Sequence, residues 1–233
     1  MPNLDSATTI AALRGCPLFA PCPEGVLAEV GQRLRHRHFR RNEVIFHQGD
    51  PGDSLHVITA GSIKIVLPSM EGDEAIIATL QPGDFFGELA LLDGRPRSAT
   101  AVAVDAAETL SLPRDTFREL LDRHPELRDS LFAALAALLR RLTKHVEELH
   151  FLDLPGRLAA RLSSLARESQ PNAGGAVELD WPYTQSDLAA MIGGTRQSVN
   201  RLLADLIEEG LVRIEHERLL IADVSALEQR AER

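Results

Sequence analysis

Thr184-Gln185-Ser186-Asp187-Leu188-Ala189-Ala190-Met191-Ile192-Gly193-Gly194-Thr195-Arg196-Gln197-Ser198-Val199-Asn200-Arg201 holds two helix starts around a glycine pair. Thr184 stands at an N-cap position, with Asp187 three residues on and an apolar run behind it. Gly193-Gly194 makes a tight turn. Thr195 then caps a second helix over 196–209, whose inner face is Val199, Leu202, Leu203, Leu206 and Ile207 and which Gly210 ends. A short helix, a glycine turn and a second capped helix make a helix-turn-helix. Residues 212–221 follow as two short strands around a polar turn, which reads as a wing.

The second helix offers Arg196, Gln197, Asn200 and Arg201 near its start. The first turns of a recognition helix reach base edges in the major groove. Arginine pairs bidentately with guanine, and glutamine or asparagine with adenine. Thr195 and Ser198, at the helix N-terminus, are placed for phosphate. The expected DNA-binding set is therefore Thr195, Arg196, Gln197, Ser198, Asn200 and Arg201. The formal net charge of −9 opposes non-specific DNA binding, which rests on lysine and arginine neutralising phosphates. Locally the sign reverses: 193–204 carries two arginines and no acid, with Asp180, Asp187, Asp205, Glu208 and Glu209 to either side. Weak non-specific binding and a modest salt slope are expected.

Upstream, Asp153-Leu154-Pro155 interrupts a long helix and can cap a new one, so Asp153 is the candidate hinge. Residues 156–168 form an amphipathic helix and 169–176 a loop. The long helix over 125–152 would span roughly 42 Å at 1.5 Å per residue. Leu131, Leu135, Leu138, Leu142, His145, Leu149 and Leu152 recur in alternating steps of four and three, a heptad seam that predicts a homodimer through residues 125–152. His145 on that seam reads as a half-buried structural histidine.

Further upstream, 114–123 is a short helix. Between 39 and 112, short apolar stretches at 44–46, 55–58, 63–67, 75–80, 99–104 and 109–112 alternate with turns rich in Gly, Pro and Asp, the pattern of a β-barrel, sandwich or roll. Residues 17–34 read as a helix. The domain division is 1–124, an N-terminal β-rich domain; 125–152, the dimerisation helix; and 153–233, the DNA-binding domain. Cys16 and Cys22 have neither zinc nor redox spacing and read as small core residues. No apolar run of about 18 residues occurs, and 1–13 lacks a signal-peptide pattern, so no membrane partner and a cytoplasmic location are expected.

The run Gly194-Thr195-Arg196-Gln197-Ser198-Val199-Asn200-Arg201 resembles the recognition helix of the cyclic-AMP-receptor/fumarate-nitrate-regulator (CRP/FNR) family of bacterial transcription regulators. Phe86-Gly87-Glu88-Leu89-Ala90-Leu91-Leu92, with Arg97-Ser98-Ala99-Thr100 after it, resembles the phosphate-binding cassette of cyclic-nucleotide-binding domains. The resemblance runs from about residue 18 to 223. It implies an α+β chain: an N-terminal cyclic-nucleotide-binding β-roll (a double-stranded β-helix or jelly roll), a long dimerisation helix and a C-terminal winged helix-turn-helix. It implies a cyclic nucleotide effector, cyclic AMP first, with Arg97 and Ser98 on the cyclic phosphate and Glu88 on the ribose 2′-hydroxyl. The ligand-binding set is Gly87, Glu88, Leu89, Arg97, Ser98, Ala99 and Thr143. It also implies a palindromic double-stranded DNA site and RNA polymerase as a further partner.

Two positions depart from the family pattern. Gln197 replaces the usual glutamate, which favours adenine over cytosine at one base. Leu142 and Thr143 stand where cyclic-AMP responders commonly present two polar residues to the adenine, which leaves cyclic GMP and a cyclic dinucleotide as alternatives. Haem, a redox signal or no effector, and a nucleotide-dependent protein adaptor, are the other readings. No nucleophile–base motif, P-loop or metal-ligand spacing is present, so neither an enzyme nor a metal site is expected.

Overall fold

The structure, a computed structural model, describes residues 6–71, 73–170, 175–215 and 218–231. The chain divides into two compact units, Met1–Leu139 and Arg140–Arg233, and the division falls inside a long helix.

The first unit opens with α1 (Ser6–Gly15) and α2 (Glu24–Arg33). Eight strands follow: β1 (Arg35–Phe39), β2 (Val44–Phe46), β3 (Ser54–Ala60), β4 (Ile63–Pro68), β5 (Glu74–Leu80), β6 (Phe85–Phe86), β7 (Thr100–Ala103) and β8 (Ala107–Pro113). A short helix α3 (Glu88–Asp93) lies between β6 and β7, and α4 (Arg114–Arg123) follows β8. The strands form two antiparallel sheets, β1-β8-β3-β6 and β2-β7-β4-β5, the two faces of a β-roll.

Strand alternation explains the two cores. On β3, Leu55 and Val57 join Leu13, Phe19, Leu27, Phe117 and Leu120 under the helices, while Ile58 joins Ile63, Leu80, Phe86, Ala101 and Ala103 inside the roll. Full burial of Phe19 and Phe117 stabilises the unit by roughly 1.5–3 kcal/mol each. Cys16 and Cys22 belong to the core under the helices, and burial pushes their thiols up to about 12 and about 11, so both stay protonated.

Helix α5 (Pro125–Phe151) crosses the division. The second unit continues with α6 (Leu154–Ser169), β9 (Val177–Asp180), α7 (Gln185–Ile192), α8 (Arg196–Glu208), β10 (Val212–Glu215), β11 (Arg218–Ile221) and α9 (Val224–Ala231). Asp153 caps α6 by accepting from the Gly156 N–H at 2.8 Å, with Pro155 in the first turn. The three strands form one antiparallel sheet, β10-β11-β9, and α9 packs along α6.

Several expectations need correction. The helix expected over 17–34 is α2 alone; Pro17, Pro21 and Pro23 lack the N–H a helix interior needs, and 16–23 closes instead through turn bonds such as Phe19 N–H to Cys16 O. Strand β1, Arg-His-Arg-His-Phe, has no apolar alternation to reveal it and is fixed by pairing with β8. The wing has a third strand, β9. Ile207, assigned to the inner face of α8, is 47% exposed. Gly72, part of the loop at 171–174, and the wing turn at 216–217 lie outside the described residues.

One expected seam position on α5 is taken up within the chain. Leu131 is buried in the first unit's core, and Leu138 and His145 are half-buried against their own chain. The exposed apolar row is Phe132 (64%), Leu139 (66%) and Val146 (64%), flanked by Leu142 and Leu149. Those five positions, with Leu135, again step by three and four, but with no histidine among them.

Candidate effector pocket and nucleic-acid interface

Gly87 decides the geometry of the cassette. It ends β6 and caps α3 at φ 88°, a left-handed conformation that suits glycine. A Cβ there would lie 2.6 Å from Arg97 Nη1 and 3.0 Å from the Ser54 carbonyl oxygen. The missing side chain thus lets the Arg97 fork pass. Arg97 Nη1 donates to the Gly87 carbonyl at 2.8 Å, and Nη2 donates to the Ser54 carbonyl at 2.8 Å. The guanidinium lies over the Phe46 ring, 4.1 Å from its centre. Its backbone is pinned as well: Arg97 N–H donates to Asp50 O, and Gly49 N–H donates to Arg97 O.

The Arg97 side chain is 3% exposed, and its Nε is buried with no hydrogen-bond partner. Burial pushes this guanidinium below its ordinary value, and Asp53 opposes that shift. It borders a cavity of about 350 Å³ with Ile45, Phe46, Asp50, Pro51, Asp53, Ser54 and His56. Small-molecule sites commonly start near this size. A buried cation with an unused donor beside a cavity is a place for an anion.

The other expected ligand residues fall around Arg97 unequally. Glu88 is buried and close enough to Arg97 to support its charge. Ala99 is buried, whereas Ser98 and Leu89 are exposed, and the Ser98 carbonyl accepts from Gln48 Nε2 at 3.2 Å. Thr143 lies on α5 in the second unit.

Sequence reasoning missed His56, Ser54 and the two aspartates. His56 stacks on Phe86 with ring centres 5.1 Å apart, and its nitrogens meet Thr109 Oγ1 at 3.0 Å and Ser54 Oγ at 3.2 Å. Burial, with Arg97 nearby, lowers its pKa to about 4, so His56 adds no charge to the cavity at ordinary pH. Asp50 and Asp53 sit in a Gly-Asp-Pro-Gly-Asp run that reads as a turn; their spacing of more than 40 residues from Arg97 hid the site.

In the second unit the helix-turn-helix closes as its sequence predicts. Thr184 accepts from Asp187 N–H, and Asp187 accepts from Thr184 N–H, a reciprocal capping box. Gly193 ends α7 at φ 67°. Thr195 caps α8 by accepting from Ser198 N–H at 3.2 Å. Val199, Leu202, Leu203 and Leu206 bury one face. Thr195, Arg196, Gln197, Asn200 and Arg201 are exposed on the other, with Ser198 half-buried behind the cap. In the wing, Arg218 pairs with Glu178 and Asp180, and Arg213 pairs with Glu215, so these two cations are already spent.

Residues 36–124 match the family described as "Cyclic nucleotide-binding domain", and residues 156–230 match "Crp-like helix-turn-helix domain". The chain is 33% identical to the "CRP-like cAMP-activated global transcriptional regulator" of Mycobacterium tuberculosis over 214 residues, covering 92% of this chain and 96% of that one. It is 33% identical to the "Cyclic AMP receptor protein" of Thermus thermophilus over 218 residues, covering 93% and 97%. Among solved structures, a c-di-GMP-responsive global regulator, CLP, of Xanthomonas campestris shares the fold at a TM-score of 0.72 and 20% identity, covering 86% of this chain and 99% of that one.

Proposed function

The chain belongs to the CRP/FNR family of bacterial transcription regulators, and on that premise we propose that it is a homodimer whose grip on a palindromic DNA site is set by a cyclic nucleotide, cyclic AMP first. It is a DNA-binding regulator that joins a cyclic nucleotide-binding domain to a helix-turn-helix. The reading divides it into a sensor at 1–124, a dimerisation helix at 125–152 and a DNA-binding domain at 153–233.

Arg97 carries the effector part: a buried guanidinium with an unused Nε beside a cavity accepts one phosphate. Gly87 admits close approach, Glu88 takes the ribose hydroxyl, and Leu89, Ser98 and Ala99 belong to the same assigned set, outside the residues that line the cavity. Thr143 offers the base one hydroxyl where Leu142 offers none.

The exposed row Phe132, Leu139 and Val146, with Leu142 and Leu149, supports pairing of two α5 helices. Two subunits related by a two-fold axis then present two copies of α8 about 34 Å apart, one DNA turn. Arg196, Gln197, Asn200 and Arg201 read bases, and Thr195 and Ser198 hold phosphate. Asp153, between α5 and α6, is the hinge through which bound nucleotide biases the reading heads. The protein works in the cytoplasm by binding, without a metal, and RNA polymerase is the partner that turns DNA occupancy into transcription.

Calorimetric titration of cyclic AMP into wild type and Arg97→Ala tests the pocket, with anisotropy of labelled genomic fragments run in parallel. Saturable binding, loss in the variant and tighter DNA binding with nucleotide are expected. Equal affinity of both proteins for nucleotide would remove Arg97 from the site.

A further inference from the structure

The charges around the cavity are unequal. Among the described residues that line it, Arg97 is the one cation, and Asp50 and Asp53 are both carboxylates. His56 adds no charge there at neutral pH. Asp53 Oδ1 lies 3.4 Å from Arg97 Nη2 and accepts from Ser54 Oγ at 2.8 Å, so the hydroxyl next to it in sequence orients the carboxylate toward the guanidinium. The two partners differ in exposure: the Arg97 side chain is 3% exposed and that of Asp53 is 86% exposed. The guanidinium is fixed by two carbonyl oxygens, whereas the carboxylate stands at the solvent side of the same cavity.

We propose that Asp53 is the charge filter of this pocket: its carboxylate stands 3.4 Å from Arg97 Nη2 at the solvent side of the cavity, and an entering phosphate must tolerate that charge, so that a singly charged cyclic phosphodiester is favoured over a doubly charged phosphomonoester. The proposal rests on the nucleotide reading given above and adds a selectivity residue to it. Ser54 supports the arrangement; its hydroxyl, first, and then Arg97 hold the Asp53 carboxyl below the usual carboxylate range, so the filter stays charged at neutral pH. Repulsion scales with ligand charge. A 5′-phosphomonoester carries close to two charges above its second pKa near 6, and a cyclic phosphodiester carries one. This filter therefore weakens binding of the linear nucleotide, produced when a cyclic one is hydrolysed, more than that of the cyclic one, by about two- to five-fold.

The test compares cyclic AMP and 5′-AMP by calorimetry at pH 7.5 on wild type, Asp53→Asn and Asp53→Glu, each first shown to melt like wild type. Removal of the charge tightens cyclic AMP by about two- to five-fold, the range for a solvent-exposed charge pair, and 5′-AMP by about the square of that factor. Asp53→Glu keeps the wild-type preference. Equal tightening of both nucleotides, or no change in their ratio, overturns the charge filter alone. If cyclic AMP, cyclic GMP and cyclic di-GMP, titrated alike, all fail to bind any of the three proteins, the nucleotide reading falls and the filter falls with it.

Discussion

Arg157 Nη1 donates to the Ile192 carbonyl at 2.8 Å, tying the first turn of α6 to the last turn of α7 beside the glycine pair. The same guanidinium restricts that turn, since a Cβ on Gly193 would meet Arg157 Nη1 at 3.2 Å and Leu149 Cδ2 at 3.7 Å. The long helix, the capped helix after it and the reading head thus share one contact point. Arg157→Ala leaves a partly buried carbonyl without its donor, and a loss of about 1–3 kcal/mol in urea unfolding is expected. DNA affinity falls with it, because the turn that aims α8 loosens.

Gly87→Ala is expected to damage the pocket more than the fold. Its φ of 88° costs an alanine roughly 1–3 kcal/mol, and the new methyl displaces Arg97. Calorimetry should show nucleotide affinity reduced by about tenfold or more, consistent with losing a charged hydrogen bond. A variant that binds nucleotide normally would place the phosphate elsewhere.

His56 makes stability depend on pH in a defined window. Its pKa is near 4 in the folded unit and near 6.5 when unfolded, so between these values the unfolded chain binds more protons. Stability is therefore complete above about pH 6.5 and falls as pH drops toward 4, by up to about 3 kcal/mol. Urea midpoints at pH 7 and pH 5 should differ in wild type. His56→Phe, which retains stacking on Phe86, should flatten that difference while losing the bonds to Thr109 and Ser54.

Two apolar rows on α5 can be told apart by experiment. Leu139→Asp places a charge in the exposed apolar row and should give a monomer in sedimentation, with DNA affinity lost in proportion. His145→Ala should remain dimeric. The reverse outcome would restore the Leu131–Leu138–His145 row as the interface.

What the sequence revealed depended on whether a signal was local. Thr184 with Asp187, the Gly193 turn and Thr195 are each set by neighbours within four residues, and the helix-turn-helix was legible to its caps. The Gly87 to Arg97 run was legible only through its resemblance to a known cassette. The wall opposite Arg97 was not. Asp53, Ser54 and His56 reach it through the pairing of β3 with β6 and β8, and no spacing in the chain encodes that approach. The α5 seam was ambiguous in the sequence. A helix with apolar residues on two adjoining rows has two possible seams, and burial of Leu131 in the first unit's core decides which faces outward.

Gln197 should set one base of the target. Gln197→Glu is expected to move preference at that position from adenine to cytosine, worth about 1–3 kcal/mol, in competition binding against single-base variants of the site. No change would mean that Gln197 does not face a base.

The most direct measurement is selection of bound sequences from random duplex DNA with cyclic nucleotide present, followed by affinities of wild type and Arg196→Ala for the selected and a scrambled duplex. The account predicts a two-fold-symmetric motif with half-sites one helical turn apart, and a loss of about 1–3 kcal/mol in the variant on the selected duplex with little change on the scrambled one. No enriched motif, or an equal loss on both duplexes, would contradict it.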